Sequence, residues 1–323
     1  MKKLYLPEGS LIRTEENREV LSSLPALERA IGSGKVLEGM VTLCDSDLRL
    51  HLDLPVAEGI IEADEVLYCR AGEDRKDIAV ITRVGKPTAF CVLGIEHRAG
   101  RPIAILSRKR VQERCIKDYL ASLSPGDILQ AKVTHLEPFG AFLDIGCGVS
   151  SLLSVDCISV SRISHPRDRL RVGMTLPVAV KSIDRATGRI YVTLRELLGT
   201  WQENADRFSP GQTVPGVIRS VESYGVFVEL APNLAGLAEL RPESAEDLRD
   251  AIGKKVAVYI KSILPERMKI KLVLIDIGSS VADTEPTKLH YYVDPETTPH
   301  LSRWTYSPPD AKKTVETLFD DLD

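Results

Sequence analysis

Two pairs of aromatic residues are each arranged around a glycine, and they are the clearest candidates for binding chemistry in the sequence. Phe139 and Phe142 flank Gly140, and Tyr224 and Phe227 repeat the arrangement 85 residues later. A glycine at a sharp bend between two strands leaves the neighbouring face uncovered, so two rings three positions apart can stand together on it. Two exposed rings on one face form a platform on which bases stack. The alternative is that the rings are packed in a hydrophobic core.

The segments around the two pairs form an internal repeat. Residues 124–146 read SPGDILQAKVTHLEPFGAFLDIG, residues 209–231 read SPGQTVPGVIRSVESYGVFVELA, and the two align without a gap. Each segment begins with a Pro-Gly turn, continues with alternating apolar residues and reaches the glycine before a second apolar run. This pattern predicts a strand, a tight bend and a strand. The repetition predicts copies of one small domain.

The central segment, together with a later stretch IDRATGRIYVTL, resembles the S1 RNA-binding domain of the ribosomal protein S1 family. The resemblance implies a five-stranded OB-fold barrel. It also implies a ligand face built from two aromatics, a histidine, an aspartate and an arginine. The matching positions hold Phe139, Phe142, Asp184 and Arg189, but Ser154 stands where the family has the histidine. We expect the carboxylate to orient the guanidinium and the guanidinium to bind a phosphate.

The third copy keeps fewer features of the family's ligand face. The resemblance assigns its aromatic positions to Tyr224 and Phe227, and the arginine position to Lys269. Glu239 and Leu264 occupy the histidine and aspartate positions. We therefore expect the central copy to bind RNA more strongly than the third.

Other cationic residues of the central copy are further candidates for contacts with RNA. Lys132 lies in the first predicted strand, where it could bind a phosphate. His165 precedes a proline and reads as a loop residue; if it acts, we expect it to contact RNA beside Arg162, Arg167 and Arg169.

A first, degenerate copy is visible over residues 34–106. Its apolar pattern follows that of the central copy, but Asp47 and Leu50 occupy the two ring positions in the alignment. A face without rings cannot stack bases. We expect this domain to dock on a protein; the alternative is that it serves as a spacer.

We therefore predict a mainly β fold of tandem five-stranded OB-fold barrels of the S1 type, joined by short helices. The predicted divisions are a helical N-terminal extension (1–33), a degenerate S1-like domain (34–106), a linker helix (107–123), an S1 domain (124–198), a second linker helix (199–207), another S1 domain (208–275) and an acidic C-terminal tail with a short helix (276–323). Asp310 is the predicted N-cap of the last helix, with Val315, Leu318, Phe319 and Leu322 on one face.

Composition and charge limit the function further. The chain is 43% hydrophobic and 27% charged, which is typical of soluble globular proteins. It carries a formal net charge of −4, with −3 over residues 34–106 and −6 over residues 276–323. Positive charge is in excess between these acidic ends, so we expect RNA binding of moderate affinity that is confined to the middle.

Several function classes are excluded by missing motifs. The sequence has no P-loop, dinucleotide fingerprint, HExxH motif or nucleophile elbow, so we expect neither an enzyme nor a cofactor. The six cysteines form no CxxC pair and have no histidine at zinc spacing, which favours reduced thiols without a metal. No signal peptide or apolar run of about 18 residues is present, so we expect a cytoplasmic protein without a membrane span.

These observations predict a protein that binds single-stranded RNA, including messenger RNA. The resemblance implies association with the small ribosomal subunit in bacterial translation, through residues 34–106 or the C-terminal tail. The alternative is an RNA-binding accessory subunit of an RNA-decay or transcription complex, because the same barrel occurs in proteins of many functions.

Overall fold

The chain begins with two short helices, within the range predicted to be helical. The computed structural model describes residues 5–70, 72, 74–239, 249–281 and 289–320. The helices are α1 (Glu15–Leu21) and α2 (Leu24–Ala30), and the side chains of Thr14 and Ser23 cap their first turns. Within the described ranges, no helix is both long enough and apolar enough to cross a bilayer.

The first barrel has five strands, with a helix between the third and the fourth. The elements are β1 (Leu37–Cys44), β2 (Leu50–Asp53), β3 (Glu58–Ile61), α3 (Asp77–Ile81), β4 (Pro87–Arg98) and β5 (Arg101–Ser107). Their order around the closed barrel is β1-β2-β3-β5-β4, with β3 and β5 parallel. Leu37, Leu52, Phe90 and Leu106 are buried in its core. The degenerate copy is therefore a complete barrel.

The central barrel follows helix α4 (Lys109–Asp118) and has the same topology. Its strands are β6 (Ile128–Glu137), β7 (Gly140–Asp144), β8 (Ser150–Ser154), β9 (Thr175–Asp184) and β10 (Arg189–Thr193). The order is β10-β8-β7-β6-β9, again closed. A Cβ atom on Gly140 would lie 2.5 Å from the carbonyl oxygen of Leu153, so β7 and β8 approach too closely here for any other residue.

The third barrel follows helix α5 (Trp201–Ala205), which begins with a capping box between Thr200 and Glu203. Its strands are β11 (Thr213–Glu222), β12 (Gly225–Ala231), β13 (Leu234–Glu239), β14 (Lys254–Leu264) and β15 (Lys269–Val281). They close in the order β11-β12-β13-β15-β14. The predicted fold class, tandem five-stranded barrels joined by short helices, is confirmed.

A buried ion cluster joins the first barrel to the central one. The carboxylate of Glu8 pairs with Arg108 at 2.7 Å and with Arg83 at 2.8 Å. The N–H of Glu8 donates to the carboxylate of Asp144, and its carbonyl accepts from the ammonium of Lys132. Because these groups come from the N-terminal segment and both barrels, they fix the two barrels against each other.

A second buried cluster joins the central barrel to the third. Arg169, which is fully buried, pairs with Glu229 of β12. Arg219 of β11 binds both Glu229 and Asp168. The fully buried amide of Asn233 donates to the carbonyl oxygens at residues 195 and 199 between the two barrels. This junction, like the first, is closed by paired charges.

The C-terminal residues 289–320 form a strap across the central and third barrels, and the short helix predicted there is wrong. β16 (Arg303–Thr305) pairs antiparallel with β17 (Glu316–Leu318). Trp304 packs into the core of the third barrel, whereas Phe319 packs into that of the central barrel. One helical face would send Leu318 and Phe319 towards the same neighbour, but Leu318 is exposed. Val315 packs against the third barrel and Phe319 into the central one, which favours extended chain, while Leu322 of the predicted face lies outside the described residues.

Candidate nucleic-acid interface

The two rings of the central barrel stand together at the bend between β6 and β7. Phe139 is 55% exposed, and Phe142 is half-buried on β7. Their ring centroids are 6.0 Å apart and their planes are perpendicular. The backbone carbonyl of Phe139 accepts a hydrogen bond from the N–H of Val155, which holds the bend against the end of β8. An aromatic edge and an aromatic face are thus presented to solvent at one site.

Two further rings that the sequence analysis missed extend this surface. The strand register places His135 beside Phe142, and Phe142 beside Leu152, which is beside Tyr191. The imidazole of His135 is exposed, and its centroid lies 6.4 Å from that of Phe142. We call His135, Phe139, Phe142 and Tyr191 the central platform. The alternation of Tyr191 with buried neighbours was the signal that could have identified it.

Asp184 and Arg189 lie at the ends of β9 and β10 and face each other in the strand register. The carboxylate of Asp184 accepts hydrogen bonds from the hydroxyl and N–H of Thr187 and from the N–H of Ala186. These bonds, the hydroxyl's first, lower the pKa of Asp184. Asp184 therefore fixes the turn. Arg189 is exposed and precedes Tyr191 by two residues on one face of β10, beside the platform.

The other predicted contacts of the central barrel have partners within the protein. The ammonium of Lys132 donates to the carbonyl of Glu8 at 2.8 Å, at the junction with the first barrel. His165 caps a short 3₁₀ turn, where its Nδ1 accepts from the N–H of Arg167. The expectation that Arg169 contacts RNA is wrong, because its guanidinium is buried against Glu229.

The central barrel matches a known family. Residues 122–195 match the S1 RNA binding domain family. The central barrel is an S1 domain.

Over the described part of the chain, no cluster of three or more His, Cys, Asp or Glu side chains is placed to hold a metal ion.

Curated relatives extend the likeness beyond the S1 domain. The chain is 33% identical over 204 residues to the small ribosomal subunit protein bS1 of Staphylococcus aureus, an alignment that covers 59% of this chain and 52% of the relative. It is 33% identical over 178 residues to bS1 of Leuconostoc lactis (52% and 41%). It is 29% identical over 201 residues to the bS1 homolog of Bacillus subtilis (61% and 50%). The chain thus spans about half the length of the curated relatives it matches.

The third barrel repeats the ring pair of the S1 domain but not the rest of its platform. Tyr224 is 57% exposed, and its ring centroid lies 6.3 Å from that of Phe227. Ser220 and Lys271 take the register positions that His135 and Tyr191 occupy in the S1 domain.

The predicted cation of the third barrel also differs from its counterpart in the S1 domain. Lys269 is exposed at the start of β15 and faces Leu264, where Arg189 of the S1 domain faces Asp184. A leucine side chain cannot orient a cation by hydrogen bonding, as a carboxylate can. This surface therefore offers two rings and an unoriented cation.

The structure corrects one residue that the sequence alignment assigned to a ring position in the first barrel. His51, not Leu50, lies at the register position of Phe142, because the loop before β2 has one more residue than its counterpart. Leu50 is buried in the core. His51 lies between the carboxylates of Asp45, at 3.1 Å, and Glu58, at 2.8 Å. Burial alone would lower the pKa of His51, but these hydrogen bonds raise it above its usual value. At this position the first barrel thus has an imidazole held by two carboxylates instead of a phenyl ring.

Proposed function

We propose that this protein binds single-stranded RNA, including messenger RNA, mainly through the central platform, and that it serves translation in the cytoplasm at the small ribosomal subunit. The observation that carries the RNA-binding part is the ring pair of Phe139, which is 55% exposed, and Phe142, which is half-buried, with centroids 6.0 Å apart on one face. Aromatic side chains that remain exposed on a well-packed barrel are suited to stacking against bases, which is worth about 1–3 kcal/mol per base.

The arrangement favours a single strand over a duplex. Stacking on the platform requires base faces, which are hidden inside a duplex and available in an unpaired strand. The row from His135 through Phe142 to Tyr191 crosses strands β6, β7, β8 and β10, so more than one base can be accommodated. Arg189 lies at the side of this row, where a guanidinium can bind a phosphate.

The third barrel is a weaker site in this proposal. It keeps Tyr224 and Phe227, but Lys271 stands at the position of Tyr191, and its ammonium lies 3.7 Å from the carboxylate of Glu239. Fewer rings mean fewer stacked bases, and a carboxylate beside the lysine lowers its attraction for phosphate.

The ribosomal part of the proposal is supported by the relatives, which are named as bS1 proteins of the small ribosomal subunit. Residues 34–106 are the preferred region for docking on the subunit. At the position of Phe142 they have His51, which is paired with two carboxylates, so this barrel lacks the ring pair that stacks bases. The C-terminal tail is less suitable as an attachment site. Its aromatic side chains Trp304 and Phe319 are buried in the protein's own barrels.

Two measurements test the proposed function. Fluorescence anisotropy with a labelled RNA of about 16 nucleotides, the upper site size for one OB fold, measures the affinity. The single strand should bind more tightly than a duplex of the same sequence. Sedimentation of cell lysate should place the protein with small ribosomal subunits. Equal affinity for single strand and duplex would contradict the RNA part. Association with a nuclease or RNA polymerase, and none with ribosomal subunits, would favour the accessory-subunit alternative.

A further inference from the structure

A cleft of about 190 Å³ opens between the first barrel and the S1 domain. Arg83, Lys86 and Pro87 line it from the first barrel, and Lys132, Thr134 and Val172 line it from the S1 domain. None of these six side chains is aromatic, so the cleft cannot stack bases. Three of them are cationic.

The negative charges at the floor of the cleft are already satisfied. The carboxylate of Glu8 is buried and paired with Arg108 and Arg83. The carboxylate of Asp144 accepts hydrogen bonds from the backbone N–H groups of Glu8, Gly146 and Gly148. Neither carboxylate is therefore left to neutralise Lys86 or Lys132.

The cations keep hydrogen-bonding capacity towards the cleft. Lys86 is exposed, and its ammonium has no hydrogen-bond or ion-pair partner among the described residues. Lys132 uses one of its three N–H donors on the carbonyl of Glu8. The lining of the cleft thus combines a net positive charge with unused donors, which is the chemistry that binds an anion.

The two walls of the cleft are held in place before any ligand arrives. Arg83 and Arg108 hold the side chain of Glu8, and the backbone of Glu8 binds the S1 domain, where its N–H donates to Asp144 and its carbonyl accepts from Lys132. Gly9 has a φ of +96°, which favours glycine, and a Cβ atom there would lie 3.0 Å from the ring of Pro87 and 2.7 Å from the ammonium nitrogen of Lys132. A preformed site loses less entropy on binding.

The cleft begins where the central platform ends. Lys132, Thr134 and His135 are on the same strand, β6, and His135 lies against Phe142 of the platform. Three residues of a strand span about 10 Å. A strand of RNA that leaves the platform along β6 therefore reaches the cleft at Lys132, and Lys86 lines the same cleft.

We propose that this cleft binds backbone phosphates of the RNA strand that continues from the central platform. The inference rests on the proposed function and deepens it, since it gives the first barrel a part in RNA binding that its missing rings argued against. Lys86 and Lys132 contact phosphates there and no bases, while Arg83 stays paired with Glu8. The cleft contributes affinity and RNA length dependence without sequence preference.

The test compares Lys86→Gln with Lys76→Gln in the full chain. Lys76 is an exposed lysine of the same barrel outside the cleft, so both variants lose one positive charge. Binding is measured against salt with single-stranded RNAs of about 4 and about 16 nucleotides, the two ends of the site-size range of an OB fold. With the longer RNA, Lys86→Gln should flatten the slope of log affinity against log salt by about 0.7, the value for one phosphate contact. With the shorter RNA, both variants should match the wild type.

The outcomes separate this inference from the proposed function. If Lys86→Gln and Lys76→Gln give the same slope with the longer RNA, the cleft does not bind phosphate, and the platform proposal stands unaffected. If the wild type binds neither RNA, the proposed function fails and the cleft proposal fails with it. Circular dichroism of both variants checks that the barrels stay folded.

Discussion

The ring residues of the S1 domain differ in how well they could be found from sequence. Phe139 and Phe142 were identified because they recur around a glycine in the repeat. Tyr191 and His135 belong to no repeated pattern, and it is the strand register that places them in one row with Phe142. The contact of Lys132 with the N-terminal segment, where its ammonium donates to the carbonyl of Glu8, also could not be read from the sequence.

A substitution at Tyr191 tests the extended platform. Tyr191→Ala should weaken binding of single-stranded RNA by about 1–3 kcal/mol, the cost of losing one stacked base, whereas Tyr191→Phe should keep most of the affinity. Tyr259→Ala is the control, because Tyr259 is an exposed strand tyrosine outside both ring rows. Titration by anisotropy gives the affinities and thermal melting verifies the fold. Equal losses for the Tyr191→Ala and Tyr259→Ala variants would remove Tyr191 from the platform.

At the scale of elements, the barrels were predictable and the strap was not. Alternating apolar residues and Pro-Gly turns recur in each copy, so the strands follow from local pattern. The C-terminal segment has a spacing that also fits a helix, and its pairing of β16 with β17 depends on two barrels that must already be folded. Tertiary burial therefore overrode the local preference.

The strap should stabilise the S1 domain although it lies far from it in sequence. Phe319 is 2% exposed in the core of that domain, so Phe319→Ala should lower the free energy of unfolding by about 3–5 kcal/mol. Leu318→Ala is the matched control. The side chain of Leu318, next to Phe319 in sequence, is 40% exposed, so its truncation should cost little free energy of unfolding. Urea unfolding measures both. Similar, small effects of the two changes would show that the strap does not dock.

The contact between the strap and the S1 domain should depend on pH through His300. Its imidazole binds Asp127 at 3.0 Å and Asp320 at 3.1 Å. Burial alone would lower the pKa of His300, but these hydrogen bonds raise it. The stabilisation is therefore complete below the unfolded-state pKa of about 6.5 and is lost as pH rises through the higher folded value.

The size of this effect is small, because the pair is partly exposed and screened. His300→Gln should lower the melting temperature more at acidic than at alkaline pH. The quantity to follow is the difference in melting temperature between wild type and variant across that range. A difference that stays constant or grows with pH would contradict the assignment.

On the scale of the whole molecule, the sequence predicted an array of barrels but not how they are joined. The charged residues of the two junctions come from segments far apart in the chain, such as Glu8 with Arg108 and Arg169 with Glu229. Single-sequence patterns carry no signal for such long-range pairs. Deleting residues 1–106 would remove Glu8 and leave Arg108 and Asp144 without this partner. Point substitutions therefore give cleaner tests than truncation.

The whole molecule should bind RNA with a moderate salt dependence despite its net charge of −4. About 3 to 5 phosphate contacts, drawn from Arg189, Arg162, Arg167, Lys86 and Lys132, give a slope of log affinity against log salt near −2 to −3.5 at about 0.7 per contact. Arg189→Gln should flatten this slope by about 0.7. Affinity that is independent of salt would mean that these residues do not face the phosphates.

The most direct test of the central claim is the affinity of Phe139→Ala for single-stranded RNA. Because Phe139 is 55% exposed, the variant should fold like the wild type, and its affinity should fall by about fivefold to more than a hundredfold, which corresponds to about 1–3 kcal/mol for one stacked base. Ile78→Ala, which truncates an exposed apolar side chain of the first barrel, should have no effect, and Tyr224→Ala should have a smaller one. A folded Phe139→Ala variant with wild-type affinity would contradict the account.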